Sequence, residues 1–139
     1  MGYDLGRFLK AQEKDYSTAL AEIRNGEKES HWIWYIFPQL TELGYSPTAK
    51  FYGLSGLEEA RAYLAHPLLR ERLTEISSAL LELDSDDAED VMGWPDDLKL
   101  CSSMTLFAEA EPENAVFQKV LDKFFGGKKD PKTLDLLKK

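Results

Sequence analysis

Apolar residues recur along most of this chain at the three- and four-residue spacings of a helix, and capping residues stand in nearly every gap between the stripes. Leu5, Phe8, Leu9, Tyr16, Ala19, Leu20 and Ile23 fall on one stripe, with Asp4 placed to cap it and Asn25-Gly26 to end it. Ser55-Gly56-Leu57-Glu58 has the spacing of a capping box, in which a serine hydroxyl and a glutamate carboxylate satisfy each other's backbone amides, and it predicts a helix through Tyr63-Leu64. His66-Pro67 restarts the chain, because proline is tolerated at a first helical position, and Leu68, Leu69, Leu73, Ile76, Leu80 and Leu81 continue the stripe. Ser85 is expected to cap a short acidic turn that closes at Gly93. Pro95, Pro112 and Pro131 each follow a plausible cap and precede an apolar-periodic segment, which predicts three more helices. Gly126-Gly127 closes the one that carries Phe117, Val120, Leu121, Phe124 and Phe125. No run alternates with the two-residue period of a half-buried strand, and no repeat is visible. The prediction is an all-α fold: one compact domain over residues 1–139 with six or seven helices.

Two segments depart from simple amphipathic patterning. Ser30-His31-Trp32-Ile33-Trp34-Tyr35-Ile36-Phe37-Pro38-Gln39 is apolar all round, so it must be surrounded by other elements. A short buried helix is expected, with a buried strand as the rival that its β-branched and aromatic residues allow. Trp32 and Trp34 read first as core, since large aromatics dominate core energetics. His31 and Gln39 bracket the block, and would offer a titratable ring and a two-way amide where it meets a cleft.

The second segment is Asp96 to Phe107. At 100° per residue Leu100, Cys101, Met104, Phe107 and Ala108 share one arc, while Lys99, Ser102, Ser103 and Leu106 share the other, with Asp96 close to it. A small, polar, cationic face of this kind suits a phosphate, carboxylate or ribose. A lysine-assisted serine is a weaker reading, because Lys-x-x-Ser reverses the familiar order and serine within a helix often bonds the preceding turn. Asp96 and Asp97 also suit a helix start as first-turn acids. Cys101, on the apolar arc, reads as a buried small hydrophobe. The acidic run Asp84 to Asp90 lacks the central glycine and the final glutamate of a calcium loop, and reads as a solvated cap region.

Charge then narrows the field. The net charge of -8 and a pI near 4.8 argue against a nucleic-acid partner, and the pairs Lys128-Lys129 and Lys138-Lys139 are too small to reverse that. A single cysteine cannot make an internal disulfide, and with two histidines it cannot close a zinc site without carboxylates. No metal site and no cofactor is expected. The first residues carry no basic patch ahead of an apolar signal core, and no apolar run approaches the roughly 18 residues of a membrane helix. A cytoplasmic protein is expected, without a membrane partner.

The segments RFLKAQ (7–12), SHWIWYIFPQL (30–40), GYSPTAKFY (44–52), EARAYLAHPLLRERL (59–73), DDLKLCSSMTLF (96–107) and FGGKKDPKTLDLL (125–137) together resemble the bacterial family known as domain of unknown function 1810. The resemblance covers nearly the whole chain and implies a small helical fold without an assigned activity. Some relatives are labelled calpastatin, but calpastatin is a disordered inhibitor, whereas this chain is rich in caps and aromatics, so the label is set aside.

Three functional expectations follow. The first is binding of a small anionic or nucleotide-like molecule between the aromatic segment and the Lys99 face, by Trp32, Trp34, Gln39, Lys99, Ser102, Ser103 and Thr105. The second is hydrolysis of an N-glycoside or phosphoester of such a molecule, with His31 or Asp97 transferring protons and Lys99 holding an anion. The third is association with another protein, the acidic surface guiding a basic partner, for which an exposed apolar patch would be the sign.

Overall fold

The structure, a computed structural model, describes residues 3–138. Among them the chain forms helices α1 (Gly6–Arg24), α2 (Ile33–Ile36), α3 (Pro47–Tyr52), α4 (Leu57–Ala65), α5 (Pro67–Leu81), α6 (Ala88–Met92), α7 (Asp96–Ala110), α8 (Ala115–Phe125) and α9 (Pro131–Leu137), with a 3-10 turn at Thr41–Leu43. The fold is all-α. Six of these helices have seven or more residues, and the other three are one- or two-turn pieces that the stripe pattern is too short to resolve. The only β pairing among the described residues is an isolated parallel bridge between Leu40 and Leu54. Gly53 permits it, because a Cβ there would lie 2.4 Å from Thr41 Cα. None of the described helices is long and apolar enough to cross a membrane.

The ends of the helices show where local grammar held and where tertiary contacts replaced it. Pro67 and Pro131 sit at first helical positions, Asp130 caps α9 by accepting from the Thr133 amide, and Gly126 closes α8 in the left-handed conformation (φ 63°). Asp4 does not cap α1: Leu5 holds that position without a side-chain bond. The capping box does not form either. Gly56 takes the cap position, and the Ser55 amide donates 2.8 Å to Glu59, not Glu58, because Glu59 is drawn inward by Arg7 at 3.0 Å. At α6 the cap is Asp87, which accepts from the Glu89 and Asp90 amides, while the Ser85 hydroxyl accepts from Asp87 N. Pro95 is itself the residue before α7, joined to Trp94 by a cis peptide. Pro112 lies in a turn closed by the Asn114 amide on the Glu111 carbonyl, and Asn114 then caps α8.

α7 is the axis of the molecule, in contact with α2, α4, α6, α8 and α9. It is buried on nearly every side: Leu100, Ser103, Met104, Thr105, Leu106 and Phe107 have no accessible surface, and Ser102 very little. Ser102, Ser103 and Leu106 of the arc read from the sequence therefore lie inside the protein, and Lys99 alone of it reaches solvent. Rings link four helices across it, Phe8 to Tyr63 (5.1 Å between centroids), Tyr63 to Phe107 (5.3 Å) and Phe107 to Phe117 (5.7 Å). Each such pair contributes about 0.5–1.5 kcal/mol beyond the area it buries. Polar clamps complete the frame. Buried Gln12 donates to the Tyr35 carbonyl (2.7 Å) and the Tyr63 hydroxyl (2.8 Å), and Arg7 donates to the Phe51 and Gly53 carbonyls as well as Glu59.

Candidate functional site

The aromatic segment resolves into one helical turn, α2, followed by an extended stretch that reaches the Leu40 bridge. Its two indoles meet different elements. Trp32 is fully buried, and its ring nitrogen donates 2.9 Å to Glu22 of α1. Glu22 also accepts from the amides of Glu29 and Ser30 and from the Ser30 hydroxyl, at 2.8, 2.9 and 2.5 Å. Burial works against its ionisation, but these four donors outweigh it and hold the carboxyl down at about 2. Trp34 is half-buried and turned toward α7, where the Lys99 ammonium stands 5.4 Å from its ring centroid.

A second lysine joins this place. Lys28 Nζ lies 4.9 Å from the Trp32 ring and 2.7 Å from Asp96 Oδ2, and the other oxygen of the same carboxylate is 3.3 Å from Lys99 Nζ. Two ammoniums thus share one carboxylate beside two indoles. The Lys28 side chain keeps 5% of its surface and Lys99 27%, so Lys99 is the one that meets solvent. Ser103, one turn beyond Lys99 on the same arc, is fully buried, and its hydroxyl has no hydrogen-bond partner.

The other candidates go elsewhere. Ser102 Oγ lies 3.1 Å from the Leu98 carbonyl and 3.1 Å from Asp130 Oδ2, and Thr105 Oγ1 accepts from the Asp130 amide at 2.9 Å. Both belong to the anchor of α9. Asp97 lies about 160° around the helix from Lys99, with Asp87 among its neighbours; burial raises its carboxyl, and the nearby charges of Asp87 and Asp96 add to that. One of its oxygens is buried without a partner. His31 is exposed and its side chain joins none of the hydrogen bonds or ion pairs among the described residues; its carbonyl accepts from Tyr35. Gln39 is half-buried, and its backbone carbonyl accepts from the Leu54 amide. Cys101 is half-buried, not enclosed; burial, then the Asp130 charge, pushes its thiol up to about 11, where it is a poor nucleophile.

Two hollows lie away from these residues, one of about 500 Å³ beside Leu20 and Arg24 on α1 and one of about 260 Å³ between the Leu40–Leu54 bridge and Leu136-Leu137. Among the described residues no group of three or more His, Cys, Asp and Glu side chains is arranged to hold a metal ion. Sequence reasoning found Asp96, Lys99 and the indoles but missed Lys28 and Glu22. No local signal marked Lys28, because residues 27–32 form no regular element that would set its position relative to Trp32.

A family model matches residues 2–137, almost the entire chain. The chain belongs to the family described as protein of unknown function (DUF1810). The chain is similar to the crystal structure of a conserved hypothetical protein from Mycobacterium tuberculosis, with 48% identity, a TM-score of 0.96, and coverage of 99% of this chain and 98% of that one. No curated protein matches it.

Proposed function

We propose that this protein binds a small anionic molecule with a flat or sugar-like portion, a nucleotide or sugar phosphate in class, at the Lys99–Trp34 edge of α7. One observation carries the reading: Lys28 and Lys99 share the carboxylate of Asp96, and Lys99, the more exposed of the two, stands beside the Trp34 indole with no other carboxylate paired to it among the described residues. Lys28 is committed to the interior, where its ammonium meets Asp96 and the Ser30 carbonyl. Lys99 has one carboxylate partner and keeps 27% of its side-chain surface, which leaves donors for a phosphate or carboxylate oxygen. Trp34 offers the adjoining ring surface.

The reading is binding without turnover. The His31 side chain is exposed and makes no hydrogen bond or ion pair among the described residues, and Asp97 points about 160° around α7 from Lys99. The test is thermal stabilisation by AMP, ADP-ribose and ribose 5-phosphate. A ligand present at about 100 times its Kd adds about 2.7 kcal/mol to stability. The expected result is a rise in Tm with at least one of them, lost in Lys99→Ala and in Trp34→Ala. No rise at millimolar concentration, or a rise that survives both substitutions, overturns the reading. Hydrolysis of a stabilising compound would favour the enzyme instead.

A further inference from the structure

Between Arg72 and Lys99 the chain carries nine acidic residues and no basic one. Its most exposed part, the loop from Asp84 and helix α6, places Asp84, Asp86, Asp87, Glu89 and Asp90 on the surface. At the end of this stretch stands an apolar patch. Trp94 keeps 70% of its surface and Leu98 55%, with Pro95 exposed between them. The Asp97 amide donates to the Gly93 carbonyl and the Leu98 amide to the Pro95 carbonyl, so residues 93–98 are wound into the start of α7. Trp94 and Leu98 therefore lie one turn apart on one face.

The patch is framed on both sides. The Gly93 amide donates to the Glu89 carbonyl, which brings α6 directly against the tryptophan's own turn. On the other side the Cys101 thiol, next along the same face, meets the Lys128 carbonyl of the loop between α8 and α9. Of the lysines around this end of α7, Lys28 and Lys99 are paired with Asp96 and Lys129 with Glu109, while Lys128 is exposed on the Cys101 side. A tryptophan this open, with proline and leucine beside it, is the residue type that anchors protein interfaces.

We infer that the Trp94–Leu98 face docks a basic, amphipathic segment of another protein, its large apolar side chains covering Trp94 and Leu98 and its lysines and arginines lying along residues 84–90. Charge complementarity chooses this occupant. A second copy of the chain would bring two acidic stretches together at the same interface, where like charges repel. A basic segment gains attraction along the whole stretch, and an arginine laid over the open indole adds a cation–π contact.

The test uses the full chain and three synthetic probes: an amphipathic helical peptide of about 16 residues with leucines on one face and lysines and arginines on the other, an oligolysine of equal charge, and a neutral amphipathic peptide. Calorimetry is expected to show binding of the first peptide only, weakened at least about tenfold by Trp94→Ala with Leu98→Ala. A comparable weakening is expected from Asp86→Asn with Glu89→Gln and Asp90→Asn, and raising the salt from about 0.05 to 0.5 M should weaken it in the unaltered chain. Hydrogen exchange should slow in residues 84–98. The substituted side chains are exposed, so each variant is first shown to keep its helical circular dichroism and Tm. Equal binding of oligolysine, binding indifferent to the Trp94 and Leu98 substitutions, or no binding at millimolar peptide overturns the inference. A concentration-dependent dimer abolished by Trp94→Ala would do so in favour of a second copy.

Discussion

Lys28 and Asp96 meet at 2.7 Å across the junction between the segment that follows α1 and the first turn of α7, with the lysine almost wholly enclosed. The pair joins parts of the chain that are far apart in sequence, and Asp96 is at once a first-turn acid, a partner for Lys99 and the counter-charge for Lys28. Its removal strands a buried ammonium. Asp96→Asn is expected to lower unfolding free energy by about 3 kcal/mol, measured by urea denaturation. Lys28→Met, which removes the charge together with its need for a partner, should cost less than Asp96→Asn. Equal losses would mean that Lys28 reaches water when its partner is gone.

Glu22 makes stability depend on pH at the acid end. Its carboxyl is lowered in the folded state to about 2 from an ordinary 4.5, so the unfolded chain takes up the proton first as pH falls. The contribution is fully present above about pH 4.5 and is lost as pH drops from there through 2. Allowing for solvent screening at this partly exposed site, about 1–2 kcal/mol is expected to disappear over that range. Glu22→Gln should flatten this part of the profile, and an unchanged slope between pH 5 and 2 in that variant would refute the assignment.

The hydroxyls of Ser102 and Thr105 hold the terminal helix. Both engage Asp130, which in turn caps α9 through the Thr133 amide and hydroxyl. Ser102→Ala with Thr105→Val should speed amide exchange in α9 more than in α1 or α5, and lower global stability by about 1–2 kcal/mol. Uniform acceleration across all helices would show that the anchor is part of the global fold instead.

Phe107 stands between Tyr63 and Phe117 with no accessible surface. Phe107→Ala opens a cavity on the central axis and is expected to cost about 3–5 kcal/mol, whereas Phe107→Leu keeps most of the volume and should cost about half as much. Thermal unfolding of the two variants compares them directly.

What the sequence made legible follows from the range of the interactions involved. The stripe from Phe8 to Ile23, the proline at 67 and the glycines at 126 and 127 act within a turn or two, and each appears where the pattern placed it. The capping box at Ser55 looked equally local, yet Arg7, some fifty residues upstream, drew in Glu59. The polar arc of α7 failed for the same reason. A polar face on a helix ordinarily meets water, but here Ser102 and Thr105 meet Asp130 of a later loop, and only tertiary structure brings that partner in. At the candidate site the Asp96–Lys99 pair was visible as a three-residue spacing, while Lys28 came from a segment whose path no local rule sets.

The rings of Phe8, Tyr63, Phe107 and Phe117 belong to helices from the beginning, middle and end of the chain. No contiguous half of the sequence owns a complete set. The row of rings is therefore complete only when α8 has reached Phe107, and loss of α8 would leave Phe107 facing water. This is a molecule that folds as a whole or stays open to proteases.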